Sequence, residues 1–320
     1  MELWLERNQV SLYVFAILLG AAVGYVLPGG MFEAGIQWSL MLLLYATFLA
    51  VPFRRLPQAF ADVRFMVTLL ALNFLAVPGV VFVLTRHIVD DQALLIGVLL
   101  VLLTPCVDYV IVFTRLARGN WNKILAATPL LMLLQIVFLP VFLTLFGTAK
   151  IIDTIQWGPF IQAFLLLIIV PLLLSIGTQL AEGNEFAHNT KRLMEALMVP
   201  LMMLTLFLVV ASQFGAAFAQ LDSLLRVIPI YVAFLLIMPV LACIVGKGSG
   251  QSASERRALA FSSSTRNSLV VLPLALALPG TLSFAALVVV TQTLVELVGM
   301  VTFVRVFPSL IVDRAVPEAA

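Results

Sequence analysis

The chain has 320 residues, of which 62% are hydrophobic and 11% charged, with a mean hydropathy of +1.14. A soluble domain is about 45–50% apolar and about 25% charged, so this chain lacks the polar residues to cover a water-facing surface, and soluble-enzyme readings are excluded. The net charge of +2 suggests no nucleic-acid partner, and Cys106 and Cys243 allow at most one disulfide.

At the N-terminus, Glu2 and Glu6 stand against Arg7, and the apolar run Ser11 to Pro28 follows. That run is too long for the core of a signal peptide and lacks a small-residue cleavage site, so it reads as a first membrane span. A span needs roughly 20 apolar residues. Cutting at charged and Gly/Pro punctuation gives ten: 11–28, 35–53, 65–85, 92–116, 123–147, 157–179, 194–213, 225–246, 256–279 and 283–306. Connections are short and leave no room for a soluble domain. Runs such as Phe164 to Val170 do not alternate, which argues for helices rather than barrel strands.

Basic residues mark the cytoplasmic side of a membrane protein. With ten spans, one side carries Arg7, Arg54, Arg55, Arg64, Arg115, Arg118, Lys123, Lys191, Arg192, Lys247, Arg256, Arg257, Arg305 and Arg314. The other carries Arg86, Lys150 and Arg226, and Arg266 falls inside a span. Both termini are therefore expected in the cytoplasm, with the chain multi-pass in the cell's inner (plasma) membrane. Five spans per half is odd, so a repeat of five is inverted, an arrangement that puts the site of many transporters on broken helices. The expected fold is all-α: ten transmembrane helices in two inverted five-helix repeats, 1–148 and 149–320, with spans 4 and 9 broken and crossing.

Span 4 carries Pro105 between Thr104 and Cys106, with Asp108 close behind. Proline removes a backbone donor and breaks or kinks a helix, and a carboxylate at mid-bilayer costs at least a few kcal/mol. Span 9 holds seven consecutive polar residues, Ser262 to Ser268, between apolar flanks. A lipid-facing helix does not tolerate that run, so a break over 262–268 is expected. The alternative is a loop there, followed by a re-entrant piece over 269–279. If the breaks meet, Arg266 can pair with Asp108, and a pair is far cheaper to bury than either charge alone. Snorkelling of Arg266 to the surface is the competing account.

Other polar residues lie in apolar surroundings: Asn73 in span 3, Gln135 in span 5, Gln292 and Glu296 in span 10. For Asn73 and Gln135, interhelical hydrogen bonding and a functional role stand as equal alternatives, whereas Glu296 is a proton-carrier candidate. Gly20, Gly24 and Gly177 are expected to allow close helix packing. No cofactor motif is present. Asp90–Asp91, His87 and His188 form no catalytic pattern, which leaves little room for an intramembrane enzyme.

Taken together, these residues resemble the bile acid:sodium symporter superfamily, which includes the arsenite-efflux permeases. Thr104–Pro–Cys106 followed by Leu116–Ala–Arg–Gly–Asn120 is similar to the family's cysteine-containing break and its following turn. Leu72–Asn–Phe–Leu–Ala–Val–Pro78, Ala260–Phe–Ser–Ser–Ser–Thr–Arg–Asn267 and Leu294–Val–Glu296 resemble permease segments in spans 3, 9 and 10. The resemblance implies a core of helices 3–5 and 8–10 rocking against a panel of helices 1, 2, 6 and 7. The chain also departs from the pattern. Ser262 and Arg266 stand where sodium-coupled members carry a glutamate and a glutamine, Val110–Ile111 replaces their Ser-Asn pair, and Leu269 replaces the permeases' glutamate. Sodium coupling is therefore not expected.

The function expected is secondary transport of a small solute across the bilayer, first of all proton-coupled efflux of arsenite or a related metalloid. Cys106, Asp108, Ser264, Arg266, Asn267 and Asn73 are the candidate solute site, and Asp108 and Glu296 the proton carriers. A thiol is the soft ligand that a metalloid prefers. The alternative is symport of an organic anion, bile-acid-like or a carboxylate, held by Arg266, with sodium or proton coupling.

Overall fold

The computed structural model describes residues 2–53, 57, 60–107, 110–147, 157–181, 183–219 and 221–313. Asp108, one of the expected site residues, lies outside them. Among the described residues every regular element is helical, and the single extended pairing is an isolated bridge. The helices are α1 (Glu2–Val26), α2 (Gly30–Ala50), α3 (Val63–Leu84), α4 (Gln92–Leu102), α5 (Val110–Leu116) and α6 (Trp121–Phe146). They continue with α7 (157–180), α8 (Glu185–Ala219), α9 (Leu221–Gly248), α10 (Ala253–Ser264), α11 (Ser268–Leu276) and α12 (Ala285–Leu310).

Among the described residues, five stretches are long and apolar enough to cross a membrane: Val63–Leu84, Trp121–Phe146, Glu185–Ser212, Asp222–Gly248 and Ala285–Leu310. Two apolar runs are each divided into a pair of shorter helices, α4 with α5 and α10 with α11. Side-chain caps fix where these begin. Asp91 accepts from the Leu94 N–H at 3.1 Å at the start of α4, and Asn267 from the Val270 N–H at 3.3 Å at the start of α11. Ser252 and Glu255 close a reciprocal capping box on α10.

Helix α3 is irregular at its middle. Leu72–Ala76 forms a π-helical turn in which the Val77 N–H reaches the Leu72 carbonyl, and Pro78 follows. Proline cannot donate the next bond, and the widened turn absorbs the register change. Asn73 lies in this turn, fully buried.

Helix α1 packs along α8, and α2 packs on α8 and α7. A Cβ on Gly24 would lie 2.5 Å from the Ala211 carbonyl oxygen, and one on Gly20 2.7 Å from that of Phe207. Glycine at these two positions is therefore what lets α1 and α8 touch backbone to backbone. Gly177 does not act this way: no atom lies within 4 Å of a Cβ built there. Among the described residues nothing packs on that glycine, so the expected close packing at Gly177 is corrected.

The remaining helices form a second group. Helix α9 packs on α10, α12 and α3, while α12 packs on α4, α11 and α5. The two groups meet where α11 touches α2 and α7, and where α12 touches α8. The four short helices lie inside the second group. Nearly all of α4 is buried, as expected for an apolar helix surrounded by others.

Candidate functional site

The site is built where the two interrupted helices pass each other. Pro105, after α4, forms an antiparallel bridge with Arg266, after α10. The Cys106 N–H donates to the Thr265 carbonyl at 3.3 Å, and the Asn267 N–H to the Thr104 carbonyl at 2.8 Å. Unwound backbone at membrane depth must find partners within the protein, and each break supplies them to the other.

The break in the second strand of the crossing is narrower than the polar run suggests. Helix α10 continues through Ser264, and only Thr265 to Asn267 are unwound. Hydroxyls explain the difference. Ser264 Oγ donates to the Ala260 carbonyl at 2.6 Å, and Thr265 Oγ1 to that of Phe261 at 2.8 Å. The hydroxyls are satisfied by the helix's own carbonyls, so a polar sequence stays helical. Helix α11 resumes at Ser268, so the alternative of a loop over 262–268 falls away.

Arg266 is fully buried, which removes the snorkelling account. Its guanidinium donates from one nitrogen to the Ser262 carbonyl at 2.9 Å, the Ser263 carbonyl at 2.7 Å and Asn73 Oδ1 at 3.0 Å. The other terminal nitrogen donates to the Leu102 carbonyl at 3.3 Å. Leu102 and Ser263 belong to the last turns of α4 and α10, where carbonyls lack helical partners and the helix dipole is negative. The Phe234 ring lies with its centre 5.4 Å from the guanidinium carbon, within cation–π range. The expected pairing with Asp108 concerns a residue outside those described.

Asn73 is held as firmly as it holds. Its Nδ2 donates to the Leu69 carbonyl at 3.0 Å and to Ser262 Oγ at 3.2 Å, which leaves Oδ1 turned to Arg266. Glu296, buried on α12, accepts the backbone N–H of Arg266 at 2.8 Å and a hydrogen bond from the Gln292 side chain. It is therefore not a bare carboxylate, as its apolar surroundings suggest, but part of the same network.

Cys106 is fully buried in the crossing, its thiol not in a disulfide. Cys243 lies on α9, also outside any disulfide. Several buried polar atoms have no hydrogen-bond partner among the described residues: Asn267 Nδ2, Ser268 Oγ, Gln292 Oε1, Thr114 Oγ1 and both polar atoms of Gln135. Native proteins leave few such groups. No group of three His, Cys, Asp or Glu suited to a metal occurs among the described residues.

The crossing thus unites Cys106, Ser264, Arg266, Asn267, Asn73 and Glu296. Sequence reasoning missed the acceptors Leu102, Ser262 and Ser263, because they act through backbone oxygens. It also missed Phe234, which no polar pattern marks.

Charged groups near the ends of the helices tie them together at either end. The Lys123 ammonium hydrogen-bonds both Asp62 and Glu255, joining the starts of α6, α3 and α10. The Lys123 hydrogen bond and the Phe65 N–H hold the Asp62 carboxyl below its ordinary value. At the opposite end Arg226 forms a forked pair with Asp90, 3.0 Å to each oxygen, which lowers that carboxyl too.

A family model described as the sodium bile acid symporter family matches residues 38–223. The match takes in Asn73 and Cys106, while Arg266 and Glu296 lie beyond its end. No curated protein matches the chain.

Proposed function

The chain belongs to the sodium bile acid symporter family, whose members are transporters in the membrane, and on that premise we propose that it is a secondary transporter that exports arsenite or a related small metalloid, driven by protons. The observation that carries this reading is the buried Cys106 thiol at the crossing of the two broken helices, one residue from the backbone bridge. A single thiol with nearby hydroxyl and amide groups holds a metalloid loosely enough for release. Asn267 and Asn73 complete the solute site with Ser264 and Arg266, and Asp108 belongs to it by its place in the sequence. Glu296 and Asp108 are the proton carriers.

The cycle is a rocking of α3–α6 and α9–α12 against α1, α2, α7 and α8. Supporting it, the two groups are each closely packed and meet through few helices. In this reading the chain makes ten spans in two inverted halves, 1–148 and 149–320, in the cell's inner membrane, with both termini in the cytoplasm.

A second reading, import of an organic anion, is favoured by one observation. Asn267 Nδ2 and Ser268 Oγ have no partner among the described residues and stand at the N-terminal, positive end of α11. Growth of an arsenite-sensitive host tests the first reading. Expression of the wild-type chain should restore tolerance, and Cys106→Ala should abolish it. Equal tolerance with both chains overturns the thiol's role, and no tolerance alongside saturable uptake of an organic anion favours the second reading.

A further inference from the structure

We propose that the turn joining α5 to α6 is a binding site for an anionic phospholipid, whose phosphate is held by the guanidinium groups of Arg115 and Arg118 and whose acyl chains lie along Val112 and Leu116. The signal is a backbone outlier. Among the described residues, Arg118 is the one non-glycine residue with a positive φ, at 57°. That is the left-handed region, which L side chains rarely adopt and which glycine, asparagine and aspartate enter most easily. Arginine is a poor choice for this backbone. Its side chain is exposed and makes no hydrogen bond or ion pair among the described residues, so no contact of that side chain offsets the strain. Neighbouring bonds hold the turn in place. The Gly119 N–H donates to the Thr114 carbonyl at 2.8 Å, the Asn120 N–H to the Ser254 carbonyl at 2.9 Å, and the Arg257 guanidinium to the Arg118 carbonyl at 3.1 Å. A strained residue that its surroundings fix in this way marks a functional position.

The surroundings of Arg118 match a lipid from chains to headgroup. Val112, Arg115 and Leu116 share one face of α5, at i, i+3 and i+4, and all three are exposed. The Arg115 guanidinium carbon lies 5.4 Å from the centre of the Trp121 ring, within cation–π range. Tryptophan favours headgroup depth, and here the surface passes from apolar to basic, as a phospholipid passes from acyl chains to phosphate. The carboxylates described around the starts of α3, α6 and α10 are already engaged, Asp62 and Glu255 by Lys123 and Asp313 by Arg256. Arg115 and Arg118 therefore present charge that no described carboxylate neutralises, beside the positive end of the 26-residue helix α6. Guanidinium groups take phosphate oxygens in pairs. A phosphate held here braces a turn that is bonded to the start of α10, the helix whose far end leads into Arg266.

The test is thermal unfolding of the purified full-length protein in detergent micelles, titrated with phosphatidylglycerol or with phosphatidylcholine of the same acyl chains. A ligand that binds only the folded state stabilises by mass action, so the wild type should melt several degrees higher with phosphatidylglycerol, saturably, and not with phosphatidylcholine. Arg118→Gly suits the left-handed backbone. Without phosphatidylglycerol it should melt at or above the wild type, while its response to that lipid falls by at least half. Arg118→Asn, which also accepts this backbone, should behave the same way, and adding Arg115→Gln should remove the response. Arg192→Gln, which removes an exposed charge on α8, should respond as the wild type does. Equal wild-type responses to the two lipids overturn the proposal, as does a full response in the double variant. A response lost equally in Arg192→Gln assigns the effect to diffuse charge and overturns it too. So does inorganic phosphate that reproduces the whole shift, or an Arg118→Gly protein that melts lower without the lipid. These readings involve no cargo, so the arsenite proposal can fail without affecting them.

Discussion

The guanidinium of Arg266 and the side-chain oxygen of Asn73 meet at 3.0 Å, although 193 residues separate them in sequence. The π-helical turn of α3 brings Asn73 to this point, and the unwinding after α10 brings Arg266. One irregularity in each helix therefore delivers one half of a buried polar contact.

Asn73→Leu should destabilise the protein by about 1–3 kcal/mol, because it removes one acceptor from the buried Arg266 guanidinium and the donor to Ser262 Oγ. Denaturant unfolding in detergent reads this directly. An unchanged midpoint would show that Arg266 draws nothing from Asn73.

Glu296→Gln keeps an acceptor for the Arg266 N–H and removes the titrating proton. The variant should fold and bind cargo, but transport should be slow and flat across neutral pH, where the wild type responds to pH. A wild-type pH profile in the variant would remove Glu296 as a proton carrier.

Much of the fold could be read from apolar run length, because water and lipid sort long apolar helices with little ambiguity. The two breaks were equally legible: Pro105 cannot donate, and seven polar residues cannot face lipid. The width of the second break was not. Serine and threonine hydroxyls bond back to their own helix, so Ser262 to Ser264 stay helical despite their polarity. The partners of Arg266 were hidden for a different reason. Arg266 donates to backbone carbonyls, whatever else it meets, and carbonyl oxygens are carried by every residue and leave no mark in the sequence. Gly177 shows the reverse error: a glycine in a span suggests close packing, yet its face is open, whereas Gly24 meets the backbone of Ala211.

That contrast yields its own test. Gly24→Val should force α1 from α8 and cost about 1–3 kcal/mol or more, the usual range for overpacking. Gly177→Ala should be neutral or stabilising by up to about 1 kcal/mol, since alanine is the better helix former. Thermal melts of the two variants should diverge. Equal melts would mean that the glycines of α1 are incidental.

Asp62 gives a pH-dependent contribution. Its carboxyl is held below its ordinary value by Lys123, so the folded state binds its proton more weakly than the unfolded chain. The stabilisation is fully present above the unfolded pKa of about 4 and is lost as pH falls through the folded value. With side-chain exposures of 39% for Asp62 and 27% for Lys123, water screens the pair, and its worth is at most about 1 kcal/mol. Asp62→Asn should lower the melting temperature slightly at neutral pH, and the difference from wild type should vanish in acid. A difference that persists in acid would assign the effect to something other than ionisation.

On the proposed reading, a small solute crosses the membrane through the meeting point of the two broken helices, without sodium. Arsenite accumulation by inside-out vesicles tests it most directly, with a proton gradient imposed in sodium-free buffer and wild type compared with Cys106→Ala. Accumulation by the wild type should collapse with the gradient, be unchanged by added sodium, and be lost in the variant. Accumulation that requires sodium, or that persists undiminished in Cys106→Ala, would contradict it.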